Sequence, residues 1–266
     1  GQANHVRVKG TDATYYCETL LEEILSKGRE EGVMSATRLW EYHESSYSLI
    51  ALLKQEEPEL LVLRDPHSNR PLLRTTLKDM IIYSSELKPL ISLGWKGEEL
   101  QYPTPIKKKR TAHCSFEWAY FSDLTNIIGE GSKSLSVIKA RENLGRVLAR
   151  RISEEGISID YVVPVPNTSR SAAQVISEEL RTPLRNAILI NPYYSRGRTF
   201  IQSSEETRKN SALMKYDLVP QYIRNKELLI IDDSIVRGLT IKHLIKRIRE
   251  HEPRALYSAS TYPPIK

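Results

Sequence analysis

Two cysteines, Cys17 and Cys114, are all the thiols in this 266-residue chain. They fall short of the four thiolates that hold an iron–sulfur cluster, so no such cluster is expected. Each reads as a small core residue rather than a nucleophile, Cys17 at an apolar-compatible spacing in a helical pattern and Cys114 in a strand-like run. Long hydrophobic runs are missing too. Nothing approaches the roughly eighteen apolar residues of a membrane span, and no signal-peptide pattern opens the chain. The default expectation is a cytoplasmic protein with no membrane partner. Internal repeats and low-complexity tracts are absent. Neither sign of charge dominates, since 39 Lys and Arg against 33 Asp and Glu leave a formal +6. The basic run Lys107, Lys108, Lys109 and Arg110 follows Pro103 and Pro105 and has no interleaved aromatics. It reads as a solvated loop between strands, and no nucleic-acid partner is expected. With 40% hydrophobic residues the chain can bury two cores.

The informative part is the run from 228 to 240, Leu-Leu-Ile-Ile-Asp-Asp-Ser-Ile-Val-Arg-Gly-Leu-Thr. Its apolar opening predicts a buried strand, and Ile241, Leu244, Ile245 and Ile248, at i, i+3, i+4 and i+7, predict an amphipathic helix. Residues 234–240 are therefore a strand-to-helix loop. Backbone N–H groups and the positive end of the helix dipole converge there, Gly238 permits close approach, and Ser234 and Thr240 add hydroxyls. Such a loop cradles a phosphate. Asp232 and Asp233 narrow the ligand, because adjacent carboxylates repel a bare phosphate and must face hydroxyls or a divalent cation. A sugar phosphate with a vicinal diol satisfies both demands. A Walker-type loop would close on Gly-Lys-Ser/Thr, which this segment lacks. The bland alternative is a strand that ends in a solvated acid pair.

Upstream, residues 161–170 read Tyr-Val-Val-Pro-Val-Pro-Asn-Thr-Ser-Arg, a second apolar strand with a polar loop, and residues 171–180 read as a helix. Ligands of open α/β sheets collect outside the carboxyl ends of strands, so the two loops can converge. Residues 193–202, Tyr-Tyr-Ser-Arg-Gly-Arg-Thr-Phe-Ile-Gln, predict an irregular, mobile connection, and Arg208 and Lys215 fall in a further helical stretch. The strand, acid pair, glycine and closing threonine resemble the phosphoribosyl pyrophosphate (PRPP) motif of type I phosphoribosyltransferases. With the Val-Pro-Val-Pro loop and the Gly-Arg-Thr-Phe-Ile segment, in this order, the chain resembles the amidophosphoribosyltransferase family. That resemblance implies roles residue by residue. Asp232 and Asp233 hold the ribose hydroxyls and magnesium, and with Arg198 they form the catalytic set. Thr168, Ser169 and Arg170 lie near the pyrophosphate, and Thr168 joins the magnesium shell. Arg198 and Thr199 sit on a closing flap. Ser234, Ile235, Val236, Arg237, Gly238 and Thr240 take the 5-phosphate. The pattern departs at Leu239, where the family usually has Thr, and at Asn167 and Ser169, often an acidic residue and Gly.

The first half carries the same resemblance. Residues 47–53 and 59–64 read as strands, and Arg-Asp-Pro-His-Ser-Asn-Arg-Pro-Leu at 64–72 resembles a segment of the family's glutaminase domain. Residues 114–121, Cys-Ser-Phe-Glu-Trp-Ala-Tyr-Phe, resemble that domain's closing strand. Thr11 and Asp12, followed by Tyr16, Leu20 and Ile24, resemble a helix whose acid binds the glutamine amino group, a role that would fall to Asp12. In the family this domain works through an N-terminal cysteine whose amine serves as base, and residue 1 here is Gly. The expectation is an incomplete domain without its nucleophile, and His67 is read as a packing residue.

Two domains are expected: residues 1–123, an incomplete glutamine amidotransferase-like (Ntn-hydrolase-type) α+β domain with one clear helix near its start, and residues 124–266, a type I phosphoribosyltransferase domain with a parallel sheet flanked by helices. The latter opens with a helix over 134–154, whose Val137, Leu144, Leu148 and Ile152 line one face. The implied activity is transfer of ammonia, direct or from a partner glutaminase chain, to PRPP with magnesium, giving 5-phosphoribosylamine and pyrophosphate. Nucleotide inhibitors and a homo-oligomer are implied. The alternative is a catalytically silent subunit that binds PRPP or nucleotides.

Overall fold

The structure is a computed structural model that describes residues 12–54, 57–96, 100–129, 134–192, 215–235 and 238–262. The chain divides into two compact units, Gly1–Cys114 with Ile128–Ser134, and Ser115–Ile127 with Leu135–Lys266. No helix among the described residues is long and apolar enough to cross a membrane.

The first unit opens with two helices, α1 (Asp12–Lys27) and α2 (Arg29–Tyr42), joined at Gly28, whose φ of 80° suits glycine. They pack closely. A Cβ on Gly32 would lie 2.5 Å from the Ile24 Cα. The sequence signals only α1, because α2 buries Gly32, Val33, Ala36 and Trp40, a face too rich in small residues to read as an apolar stripe. Strands β1 (Ser48–Leu53) and β2 (Glu59–Arg64) pair antiparallel. Side chains alternate across a strand, so Leu49, Ala51, Leu61 and Leu63 join Leu20, Val33, Ala36, Trp40 and Tyr47 in one core. A second antiparallel pair, β3 (Leu73–Leu77) and β4 (Met80–Ser84), precedes the short helix α3 (Leu87–Ser92).

The basic run is exposed to solvent, as expected, and is also tethered. Lys109 N–H donates to the Pro66 carbonyl at 2.9 Å, and Lys107 and Lys109 both pair with Glu41. His67 Nδ1 lies 2.9 Å from the Arg110 carbonyl, which commits that ring to the same loop. Cys17 is exposed, against the core reading, since it lies off the stripe that Leu20 occupies.

The second unit begins with residues 115–121, which are helical instead of the closing strand expected. Glu117–Phe121 forms a single π-helical turn, with Ser122 N–H reaching back to the Glu117 carbonyl at 3.3 Å. After the two-residue strands β5 (Ile127–Ile128) and β6 (Leu135–Ser136) comes α4 (Val137–Glu154), capped by the Ser136 hydroxyl. Its buried face is Val137, Ala140, Arg141, Gly145, Ala149 and Ile152, rotated from the predicted stripe so that Leu144 and Leu148 flank it. Small residues sit at the contact because α5 (Arg170–Leu180) approaches closely. A Cβ on Gly145 would meet the Ala172 carbonyl oxygen at 2.7 Å.

The sheet runs β11 (Ala255–Ser260), β10 (Glu227–Asp232), β7 (Tyr161–Pro164), all parallel. Helices on both faces explain why β10 reads as an unbroken apolar run. Leu228 and Ile230 pack with Ile241, Leu244 and Ile248 of α6 (Leu239–Arg249). Leu229 and Ile231 pack with Ala149 and Ile152 of α4 and Ala173 and Ile176 of α5. The sheet is joined by a separate antiparallel pair, β8 (Ile188–Ile190) and β9 (Tyr216–Leu218). Lys215 stands at a bend before β9 and not in a helix, while Arg208 lies outside the described residues.

Candidate functional site

Adjacent parallel strands β7 and β10 end side by side, so the loops after them share one rim. Val165 N–H donates to the Ile231 carbonyl at 2.8 Å. One turn further, the Thr168 hydroxyl donates to Asp233 Oδ2, joining the two loops directly. The Ser234 hydroxyl donates to Asp233 Oδ1 at 2.8 Å, and the Asp233 N–H donates to Asp232 Oδ1 at 2.9 Å.

The other flank is held by the end of β11. The Thr261 N–H donates to the Asp232 carbonyl and the Tyr262 N–H to the Asp233 carbonyl, both at 3.1 Å. The Ser260 and Thr261 hydroxyls add bonds of 3.3 and 3.2 Å to the Asp233 carbonyl. Nothing in the sequence singles these three residues out. Their place beside β10 is the only signal, and it is tertiary.

Two carboxylates this close cannot both ionise freely. Burial, with the charge of Asp233 second, pushes Asp232 from 3.8 up to about 7, partly opposed by the Asp233 N–H and by Lys215. Lys215 also stands over the Tyr216 ring, 4.9 Å from its centre. The folded ligand-free protein thus holds a proton at Asp232 that the unfolded chain releases above about pH 4. Asp232 therefore contributes stability that is present below pH 4 and is lost as pH rises through about 7. Thermal melts from pH 4 to pH 8 should show the parent losing stability against Asp232→Asn over that window. A constant difference between the two would contradict the shift.

The other predicted residues divide. Arg170 opens α5 and is exposed, and its N–H bonds the Asn167 carbonyl at 3.3 Å. Ser169 is 1% exposed and donates its hydroxyl to the Val165 carbonyl at 2.6 Å, so its side chain holds the loop instead of facing outward. Ile235 is exposed, Gly238 adopts φ 68°, and Thr240 is exposed in the first turn of α6. The left-handed Gly238 turns the chain into the helix. Arg198, Thr199, Val236 and Arg237 lie outside the residues whose side chains are described. Asp12 is an exposed acid in the first turn of α1, in the first unit. Among the described residues no three His, Cys, Asp or Glu side chains gather to hold a metal.

Arg141, missed in the sequence, lies buried on α4. Burial lowers its pKa, while the charges of Asp233 and Asp123 raise it. An arginine on the apolar face of an amphipathic helix was the signal available.

Residues 131–263 match the phosphoribosyl transferase domain family. The chain is 30% identical to the amidophosphoribosyltransferase of Archaeoglobus fulgidus, over 98% of this chain and 58% of that protein. It is 31% identical to that of Methanothermobacter thermautotrophicus, over 100% of this chain and 56% of that protein. Among solved structures, the glutamine PRPP amidotransferase from B. subtilis, complexed with ADP and GMP, aligns with a TM-score of 0.69 at 25% identity, over 96% of this chain and 56% of that one. The chain spans just over half the length of these relatives. Its parallel sheet with helices on both faces is the type I phosphoribosyltransferase fold expected. An acid pair at the end of the central strand, set in that fold and lying within the matched residues, makes this a member of the phosphoribosyl transferase domain family.

Proposed function

We propose that the second unit binds PRPP at the carboxyl ends of β7 and β10 and transfers its phosphoribosyl group to ammonia, taken directly or from a partner glutaminase. The products are 5-phosphoribosylamine and pyrophosphate, the first step of purine biosynthesis. The observation that carries this reading is the acid pair Asp232 and Asp233, held by Thr168 on one side and by residues 260–262 on the other, beside the left-handed turn at Gly238. Carboxylates in that position accept hydrogen bonds from a vicinal diol. The turn and the N-terminus of α6 favour the terminal phosphate of the same sugar.

The chemistry then needs positioning more than proton transfer. Nitrogen attacks ribose C1 as pyrophosphate departs, and unprotonated ammonia is nucleophilic without a strong base. The chain orients the ribose and stabilises an oxocarbenium-like transition state through fixed carboxylates. Arg170, at the start of α5, offsets charge on the departing pyrophosphate. The donors fit magnesium carried in by the phosphates, since that ion takes one or two carboxylates and fills its remaining positions with phosphate and water oxygens. Asp232, Asp233 and Thr168 would hold it, and it would neutralise pyrophosphate charge. Nucleotides that share the ribose phosphate should compete for the same loop, as the ADP and GMP complex of the B. subtilis relative suggests.

Pyrophosphate release is the test, with PRPP plus ammonium and separately with PRPP plus glutamine. Release with ammonium is expected. Silence under both, with PRPP still bound in calorimetry, would replace the transferase reading with that of a catalytically silent PRPP-binding subunit.

A further inference from the structure

Helix α4 buries a cation. Arg141 is 4% exposed, donates Nε to the Trp118 carbonyl at 2.9 Å and donates Nη2 to the Ser122 carbonyl at 2.8 Å. Around it the second unit buries more polar groups. The Ser122 hydroxyl donates to the Glu117 carboxylate at 2.7 Å, and the Asn126 amide donates to the Ser122 hydroxyl at 3.3 Å. Taking an arginine and a glutamate out of water is costly, and replacing such groups by apolar ones is often neutral or stabilising. What the network does is hold the π-helical turn Glu117–Phe121 in one place on α4.

That turn leads to the acid pair. The ring of Phe116, just ahead of it, packs on Tyr262 with centroids 5.7 Å apart and planes inclined by 32°. Tyr120 and Phe121 close the cluster at 5.6 and 6.1 Å from Phe116. The Tyr262 N–H is the donor to the Asp233 carbonyl, and its neighbour Thr261 donates to that of Asp232. A continuous path of packed groups therefore runs from the Arg141 guanidinium to the main chain of both carboxylates.

We infer that Arg141 is a positioning residue: by clamping the Trp118 and Ser122 carbonyls it seats Phe116 against Tyr262, and so fixes where Asp232 and Asp233 stand at the rim. For its effect on turnover this inference rests on the PRPP reading above. Its effect on the strand end does not.

The experiment compares the full chain with Arg141→Gln, Arg141→Lys and Phe116→Leu. Hydrogen exchange is read at the Thr261 and Tyr262 amides, with the Val165 amide, bonded to Ile231 in the sheet, as reference. In Arg141→Gln and Phe116→Leu the first two should exchange about tenfold faster while Val165 is unchanged. Arg141→Lys should recover part of the protection. The KM for PRPP should rise about tenfold in Arg141→Gln, whereas a simple loss of folded protein would lower kcat and leave KM alone. Unchanged exchange at 261 and 262 in both Arg141→Gln and Phe116→Leu, or equal acceleration across the sheet, would overturn the inference. Should Arg141→Gln fail to fold, Phe116→Leu decides by the same amides. Failure of the parent to bind PRPP would instead defeat the functional reading, and the exchange pattern would still decide the role of Arg141.

Discussion

Replacing Asp233 by asparagine should lower kcat/KM for PRPP about 100-fold, with the melting temperature little changed. A charged acceptor facing a sugar hydroxyl is worth roughly 1.5–3 kcal/mol, and losing a preorganised charge that stabilises the transition state adds to that. Asparagine keeps the shape and one acceptor, so the Thr168 hydroxyl still finds a partner and the two loops stay joined. The loss is therefore one of charge. A second signature follows from the neighbour. Asp232 is held up near pH 7 first by burial and second by the charge of Asp233, so its titration should move down in the variant while burial keeps it raised. Steady-state kinetics across pH, with carboxyl titration followed by NMR, would register both effects. Turnover within about threefold of the parent would remove Asp233 from the site, because a difference that small is under 1 kcal/mol.

Valine at position 145 should cost the second unit about 3 kcal/mol or more, the upper range for overpacking a tight contact. The Cβ position lies 2.7 Å from the Ala172 oxygen, 3.1 Å from its Cα and 3.3 Å from its carbonyl carbon. All three are backbone atoms, so no side chain can swing aside and the two helices must part. Helix α5 starts at the loop that carries Thr168, so the displacement should also loosen the link to Asp233 and weaken PRPP binding. Gly156 is the contrasting control. A Cβ there meets nothing within 4 Å, but its φ is +63°. Alanine at that position should cost only about 1 kcal/mol of backbone strain. Denaturant unfolding of both variants would test the contrast, and near-equal midpoints would show that the α4–α5 contact yields more easily than its geometry implies.

The segment 228–248 was legible because each of its signals is local. A buried strand, two acids, a turn that needs glycine and an amphipathic stripe follow one another within a few residues, and the structure returns them as β10, the rim and α6. Helix α2 was not legible, since its core contacts rely on Gly32 and Ala36, residues that carry little apolar signal. The π-helical turn over 117–121 has the composition of a strand. Its Trp118 carbonyl is held by the arginine on α4, more than twenty residues away, a contact no local pattern announces.

The chain's own order of residues thus determined the strand, the acid pair, the glycine turn and the family, because these rest on the periodicity and spacing of neighbouring side chains. Only the tertiary structure decided that Asp232 is pushed toward neutrality, that Thr168 closes onto Asp233, that Ser169 turns inward and that Gly145 must stay bare. Each of these depends on how closely groups distant in the chain approach, and on how little water reaches them. Dielectric environment and steric clearance exist only once the strands and helices have packed.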